Sequence, residues 1–502
     1  MKRIAFALAV CLFLLMMSGC EQARFREGGG LTQTPVNQPV AMRALVTPKG
    51  LESLYRTATP KGLWVQAEVT SLEHEELELK LGPLEQAVHV ERWSVVTEIP
   101  TMQVRASLQQ PTLTMALRIH DGISHQICRF SAQMDNAAID ATVSIAHPAE
   151  GPSLGVSDKA TIEFDALRVR KVGSCPIDLD LEIEEGLTLT EIIEGYVSDA
   201  LVRSAEEAFA ASPLDMMGLI RRRVELSRLS SFESRRGQVL FIGKLSEEEP
   251  MDVSTHGLEV NLDLAMSPRR AGCAPPVSLG VPDTRPAGPL SATILNQFGA
   301  DVGMALSVPV LQRLAQAMTA AGFMCHGFDD PRRDEESREV VPLDSLRLDD
   351  IGVTGIPFGP WGRTMISAGA LPTVQTRPER NDVQLRLESL IVDVYGELFG
   401  VPVRLARVQA TADFGLRAKE DEVGMIAFEI ESVQIRDVSL RSDWLETRPR
   451  EADLMNWTRR LLIMTLQDRL VMPLPIDPGT PLTLVGSQIR STDVVLMMRF
   501  VQ

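Results

Sequence analysis

In the stretch "VGMALSVPVLQRLAQAMTAAGFMC", Val302 to Cys325, a serine precedes an apolar run with helical spacing. Ser307 is placed to cap the helix, because its hydroxyl can accept from the free N–H groups of the first turn. Val310, Leu314, Ala317, Met318 and Ala321 then recur on one face, and Gly322 supplies the stop. Downstream the period changes to two: Val383, Leu385 and Leu387 alternate with Gln384, Arg386 and Glu388. "VPVRLARVQATADFGL" and "MIAFEIESVQIRDVSL" extend the same sheet. A second amphipathic helix is expected over Asp453 to Val471, with Leu454, Trp457, Leu461 and Met464 on one side and Leu462, Leu466 and Leu470 beside them. It ends at "MPLPI", since Pro473 and Pro475 lack the N–H and restrict the residue before each. A final strand pair closes the chain.

The first half follows the same plan with different residues. Thr47 is a candidate cap, Pro48 stands at the first helical position, Leu51, Leu54 and Tyr55 share a face, and Pro60 stops a short helix. From Leu63 to Ile183 the pattern is that of strands. "AIDATVSIA" alternates strictly, and "LRIHDGISHQI" places Asp121-Gly122 between two apolar runs, a hairpin cue. These strands form an antiparallel sheet with one face buried and one wet. A helix follows with Thr190 as its cap and Ile192, Ile193, Tyr196, Ala200 and Leu201 at helical spacing. Leu219 to Met266 returns to strands, and Ser267 to Gly288 is a proline-rich connection.

A chain of 502 residues exceeds a single ordinary core, since cores stop growing at about 250 to 300 residues. Its 50 basic and 67 acidic residues give a net charge of −17, which argues against a nucleic-acid partner. The opening "MKRIAFALAVCLFLLMMSGC" has a basic start, an apolar stretch and small residues before a cysteine, which reads as a secretory signal. Its end resembles the lipobox of bacterial lipoproteins, with Cys20 as the lipidated residue. Loss of residues 1–19 takes Lys2 and Arg3 and no acid, so −17 becomes −19. Glu21 to Val40 is polar, with glycine and proline and no period, and is expected as a flexible tether. The body is then expected to be soluble and held to a membrane by acyl chains.

Beyond the signal and Cys20, the cysteines are Cys128, Cys175, Cys273 and Cys325. Four cysteines in an exported chain allow three pairings. The sequential one, Cys128 with Cys175 and Cys273 with Cys325, keeps each bridge inside one candidate domain; four buried free thiols are the alternative. "GPSLG", residues 151–155, fits the G-x-S-x-G pattern around Ser153, but that motif needs a helix directly after it, and the sequence that follows reads as strand. His120, His125 and Cys128 straddle a hairpin without a fourth ligand, so no metal is expected. No phosphate loop or dinucleotide fingerprint occurs, and neither a cofactor nor a catalytic residue is expected. The triplet Arg221, Arg222 and Arg223 reads as a solvated face.

Several of these stretches together resemble the family of bactericidal/permeability-increasing protein, lipopolysaccharide-binding protein and cholesteryl ester transfer protein. The likeness is carried by "VGMALSVPVLQRLAQAMTAAGFMC", "LRLESLIVDVYGELFG" and "LVMPLPIDPGTPLTL" in order, and more weakly by "MRALVTPKGLESL" and the placement of Cys128 and Cys175. Pro60 departs from it, because the family's first helix is long, and Cys273 with Cys325 is outside its pattern.

The resemblance implies an α+β fold of two barrel-like domains, each a highly twisted antiparallel sheet around long helices, joined by a central sheet into a boomerang. On that plan residues 1–19 are the signal, 20–40 the tether, 41–245 the first tubular lipid-binding-like domain, 246–290 a central strand and linker, and 291–502 the second such domain. Apolar pockets between helix and sheet would hold acyl chains of a phospholipid or similar lipid. The candidate lining is Ile192, Tyr196 and Leu201 in the first half, and Val310, Leu314, Met318, Leu454, Trp457, Leu461 and Met464 in the second. The implied function is lipid binding or transfer in the bacterial cell envelope; the alternative is a docking scaffold on the same fold. Glu21 stands where an aspartate would retain a lipoprotein in the inner membrane, so the expected location is the outer membrane, facing the periplasm.

Overall fold

The computed structural model describes residues 36–59, 61–72, 77–121, 124–146, 153–184, 186–210, 221–225, 238–246, 250–268, 271, 274–275, 279, 285–322, 324–325, 363–398, 401–420, 426–442, 449–466, 471–473 and 482–501. The signal, Cys20, Cys273 and Pro475 lie outside them. Antiparallel sheets dominate, with five α-helices among the described residues: α1 (Pro48–Ala58), α2 (Leu189–Ala210), α3 (Ala292–Phe298), α4 (Val308–Ala320) and α5 (Glu451–Leu466). The fold is α+β. No described helix is long and apolar enough to cross a membrane.

A central sheet of eight strands gathers segments from the whole chain. Its middle pair is Val36–Val46 and Val302–Ser307, antiparallel with Met42 opposite Leu306. Outside the first lies Gly257–Pro268 and then Gln238–Leu245; outside the second lie Asp493–Phe500 and then Leu482–Ile489. The order is palindromic: each half of the chain contributes its opening strand to the centre and its closing strand beside it. Val36–Val46 begins inside the stretch expected as tether. Pro39 is accommodated there because the register shifts between Gln38 and Met42, and a bulge is where a strand tolerates proline. Val40 takes φ 42°, its N–H donates to Asp263 Oδ1 at 2.8 Å and its carbonyl accepts from Ala287 N at 3.0 Å.

Both faces of this sheet are covered, so its strands show continuous burial instead of alternation. Met42, Ala44 and Val46 join the main hydrophobic cluster. Leu45, Ala305, Val495 and Met497 join a smaller one that Ala287, Leu295 and Ala300 complete from the α3 side. Gly303 allows this approach: a Cβ there would lie 2.7 Å from a Leu295 methyl.

Away from the centre, one-sided alternation returns. Leu63–Ala67, Thr101–Leu108 and Thr112–His120 bury every second residue. The hairpin at Asp121 forms, joining Thr112–His120 to His125–Asp135, with Ser124 N donating to Asp121 Oδ1 at 2.6 Å. In the second half Asp382–Leu398, Val401–Glu420 and Ile426–Arg441 make the core of a six-stranded sheet. A register shift between Leu387 and Leu390 keeps Leu390, Val392 and Val394 on the buried side begun by Val383, Leu385 and Leu387. Its other side carries ion pairs between neighbouring strands: Arg407 to Asp393 at 2.7 Å, Arg386 to Asp413 at 2.8 Å and Arg436 to Asp413 at 2.9 Å. Such cross-strand pairs contribute roughly 0.2–1 kcal/mol each and fix the register. None of these sheets closes on itself in strand order among the described residues, so the barrel closure implied by the resemblance is not part of the observed pairing.

Cys128 and Cys175 form a disulfide with Cα atoms 5.3 Å apart. Cys325 is also disulfide-bonded, while Cys273 lies outside the described residues. The end of the last helix differs from expectation. The last helix is described to Leu466, and Val471, expected at its end, belongs to the strand Val471–Pro473 paired with Ile426–Arg441. Pro473 accounts for this, since it disfavours helical backbone at Met472.

Thr47 and Gly50 join α1 to the centre. The Thr47 hydroxyl accepts from Gly50 N at 3.1 Å and donates to the Asp301 carbonyl at 3.0 Å, and Thr47 N donates to the same carbonyl at 3.0 Å. A Cβ on Gly50 would lie 2.2 Å from that oxygen. Gly50→Ala is therefore expected to destabilise the protein by about 3 kcal/mol through forced overpacking, and Thr47→Val by about 1–2 kcal/mol through loss of the cap. Urea-denaturation midpoints measure both, and an unchanged midpoint for Gly50→Ala would show that α1 does not depend on this contact.

Candidate functional site

The helices lie on the apolar sides of the sheets, where the sequence placed a lipid pocket. α2 starts one turn-step earlier than expected, because Thr188 is the cap in place of Thr190. Thr188 and Glu191 bond reciprocally: Thr188 N donates to Glu191 Oε2 at 2.7 Å and Glu191 N to Thr188 Oγ1 at 3.3 Å, which is a capping box. The Thr190 hydroxyl donates to the Leu179 carbonyl at 3.1 Å. Leu201 is buried with Ile193, Val197 and Ala205, whereas Ile192 and Tyr196 are half-buried at the edge of the cluster. Tyr196 is tied down by its phenol, which donates to the Glu68 carbonyl at 2.8 Å, and burial raises its pKa. At the far end of α2, Phe209 packs with Tyr55 and Trp93 at ring distances of 6.2 and 5.7 Å. The Tyr55 hydroxyl donates to the Phe209 carbonyl at 3.3 Å, and burial pushes its pKa up.

Of the second-half residues, Val310, Leu314 and Met318 are all within 1% of full burial. α4 is buried around most of its circumference, because Leu311, Arg313, Ala315 and Thr319 are enclosed as well as the expected face. Burial lowers the pKa of Arg313. Gln312 clamps the neighbouring strand, donating to Pro372 O and accepting from Val374 N, both at 2.6 Å. On α5, Leu454, Trp457 and Leu461 are buried against Ile426–Arg441, together with Leu462. Met455 and Ile463 are half-buried against the cluster, and the Met464 side chain lies outside the description. The indole Nε1 of Trp457 is buried and has no hydrogen-bond partner among the described residues.

All the described candidates therefore border one continuous hydrophobic cluster, from three separate helices. Sequence reasoning did not single out the polar side of α5. There Asp453, Asn456, Arg459, Arg460 and Ile463 line a groove of about 620 Å³. The signal for it was the adjacent arginine pair on a helix whose opposite side is apolar.

The enzyme-like motifs resolve into structure. Ser153 opens the short strand Ser153–Val156, paired with Ala138–Ala146, and no helix follows it directly. His120 and His125 are opposite one another across the hairpin, with rings stacked 4.1 Å apart, and Cys128 is committed to Cys175. Glu78, opposite His120, is held below the usual carboxylate range mainly by its hydrogen bond and ion pair with Lys80. Arg221, Arg222 and Arg223 sit in the strand Arg221–Glu225, which pairs with Gln238–Leu245.

No family model matches the chain, and no curated protein matches it. Among solved structures, lipopolysaccharide binding protein aligns with 93% of this chain and 100% of its own, at 9% identity and a TM-score of 0.43. P47 from Clostridium botulinum A2 aligns with 92% of this chain and 98% of its own, at 7% identity and a TM-score of 0.22. Takeout 1 from Epiphyas postvittana covers 31% of this chain and 78% of its own, at 12% identity and a TM-score of 0.18. These are distant likenesses, and the site stands on this chain's own geometry.

The Thr188 groups hold the Glu191 carboxyl below the usual carboxylate range, its backbone N–H first. A carboxylate with a depressed folded pKa contributes stability that is present above its unfolded pKa and lost as pH falls through the folded value. Wild type and Glu191→Gln should therefore differ in denaturation midpoint near neutral pH and converge in acid. Thr188→Ala should cost about 1 kcal/mol. Parallel profiles for Glu191→Gln and wild type down to strong acid would remove the capping box from the account of α2.

Proposed function

We propose that this protein is a non-catalytic lipid-binding or lipid-transfer protein of the bacterial cell envelope. It is tethered to the outer membrane through a lipidated Cys20 and faces the periplasm. In this reading the two halves of the palindromic centre are two tubular lipid-binding bodies set as a boomerang, and a phospholipid or other acyl lipid lies between helix and sheet.

The observation that carries the reading is the apolar seam where α2 and α5 meet the buried faces of one-sided sheets. It runs from fully enclosed residues such as Leu201 and Leu461 to half-buried ones at the edge, Ile192 on α2 and Met455 and Ile463 on α5. Hydrogen bonds tie α2 to its neighbours at Thr190, Tyr196 and Ser204, while the surface between these ties is apolar, so an acyl chain lying there replaces side-chain contacts and needs no polar partner. A dozen methylenes buried there contribute about 10 kcal/mol at roughly 0.8 kcal/mol each. The sequence resemblance to the tubular lipid-binding family supports the same reading.

One observation favours the second reading, a docking scaffold with filled seams. Val310, Leu314, Met318 and Leu461 are buried at 0–1% exposure by protein alone.

Native mass spectrometry of the full chain, purified in mild detergent, separates the two. A lipid mass that stays with the folded protein and leaves on denaturation is expected, and Ile192→Trp, at the half-buried edge, should lower its occupancy without lowering the melting temperature. A bare protein mass across independent preparations would establish the scaffold instead.

A further inference from the structure

The end of the Asp121 hairpin brings together side chains that lie far apart in the sequence. Glu78 stands opposite His120 and His120 opposite His125, so the three form one row across the neighbouring strands Glu78–Leu81, Thr112–His120 and His125–Asp135. Directly paired residues project to the same face. Here it is the wet one: Glu78 and His125 are exposed and His120 is half-buried, whereas Leu79, Ile119 and Cys128 turn to the buried face. The sequence grouped Cys128 with the two histidines; the pleat separates it from them, and the register supplies Glu78 in its place. The two imidazole rings are stacked 4.1 Å apart with their planes 11° from parallel. Nδ1 of His120 lies 3.1 Å from the Ser124 carbonyl, which can only accept, so Nδ1 carries the proton and Nε2 of the neutral ring keeps its lone pair. A carbonyl in that position is the outer-shell support that metal-binding histidines commonly have. The turn behind it is fixed, because the Asp121 carboxylate accepts from Ser124 N at 2.6 Å and from Ser124 Oγ at 2.8 Å. Glu78 pairs with Lys80 at 2.5 Å; that hydrogen bond is the main cause of its lowered pKa, and the two imidazoles lower it further.

We propose that this row is a binding site for a divalent transition-metal ion, zinc or copper(II), held by His120 Nε2, a ring nitrogen of His125 and the Glu78 carboxylate, with water completing the shell. Two nitrogens bound to one zinc ion at about 2.0–2.1 Å stand about 3.3 Å apart, so rings already face to face converge on a shared ion by turning about their side-chain torsions. Among the described residues no three metal-binding groups are preassembled: Lys80 holds Glu78, and the ion completes its shell by taking the carboxylate from that exposed pair, which contributes little by itself. Lys80 and Arg118 face each other in the next row. They repel an ion held by charge alone, which disfavours calcium and magnesium, while imidazole nitrogen bonds zinc and copper directly. An ion bound here ties three strands together on the face opposite the Cys128–Cys175 disulfide, and its water-filled position faces solvent. The site stands on the wet face of its sheet and does not depend on the lipid-binding reading.

The test uses the full chain in mild detergent, without an affinity tag and stripped of metal by a chelator, and titrates it calorimetrically at neutral pH with zinc chloride or copper(II) chloride. Wild type should bind one ion at this row and give no heat with calcium or magnesium. His120→Gln and His125→Gln should each weaken binding roughly 10–100-fold, the loss that even outer-shell partners cause, and Glu78→Gln about tenfold. Electron paramagnetic resonance of the copper-loaded protein should show coupling to two nitrogens in wild type and to one in His125→Gln. Acidification to about pH 5 should release the ion, because its ligands must be deprotonated. Equal melting temperatures of the metal-free variants and wild type confirm that folding is unchanged. Wild-type affinity in either histidine variant, or no zinc or copper bound by wild type, would overturn the site. Wild-type affinity in Glu78→Gln would overturn the three-strand arrangement, and metal retained at about pH 5 would place it on other ligands and overturn it too.

Discussion

The carbonyl oxygen of Asp301 holds the two halves of the molecule in register. It accepts from both the N–H and the hydroxyl of Thr47 at 3.0 Å, where the first strand of the chain turns into α1. The Asp301 N–H donates to Met498 O at 2.8 Å, and its carboxylate Oδ2 accepts from Phe500 N at 3.1 Å. One residue thus binds the end of Val36–Val46, the approach to Val302–Ser307 and the end of Asp493–Phe500. All of these groups are buried, so each bond lost would leave an unsatisfied donor or acceptor at full desolvation cost. The palindromic order of the central sheet needs such a point, since backbone ladders alone permit slippage between neighbours.

From that junction the architecture separates into two kinds of surface. The centre is covered on both faces, and its inner strands bury nearly all of their side chains. The outlying sheets keep one wet side, and in the second half that side is laced with arginine–carboxylate pairs that set register. Helices occupy the dry sides. α4 is so fully enclosed that only a few of its residues retain any exposure, whereas α2 and α5 leave half-buried edges. Capacity for a ligand therefore belongs to the seams along α2 and α5 more than to α4, although the sequence presented all three helices as equivalent.

What could be read from the sequence is what depends on local chemistry. Thr47-Pro48 and Ser307 announced helix starts because capping needs only neighbouring residues, and both hydroxyls accept from the first turn, at 3.1 Å from Gly50 N and 3.4 Å from Val310 N. Strand alternation in Thr112–His120 and its neighbours was equally legible, since one face meets water. The central strands were harder: Val302–Ser307 is buried on both faces and has no period to read, and Val36–Val40 was hidden by Pro39 until the bulge explained it. Thr190 was expected as the cap because the apolar spacing begins at Ile192; the reach of Glu191 back to Thr188 puts the cap two residues earlier, and Thr190 lies inside the helix. Asp453, Asn456, Arg459 and Arg460 read as a solvated helix face, and the groove they line is a tertiary fact. The span of Val471 was misjudged by the same limit, since pairing with Ile426–Arg441 comes from far along the chain.

The position of Val36–Val46 has a mechanical meaning. On the proposed anchor at Cys20, the leash would enter the protein at the midline of the palindrome, where Val36–Val46 lies, instead of at either extremity. From Cys20 to Val36 the chain can extend no more than about 55 Å at 3.3–3.6 Å per residue. On the proposed anchor, the molecule is mounted like a seesaw on its fulcrum: tilting one end toward the membrane lifts the other away from it. The two halves would then take turns at the bilayer, and a shorter leash would couple their motions more tightly.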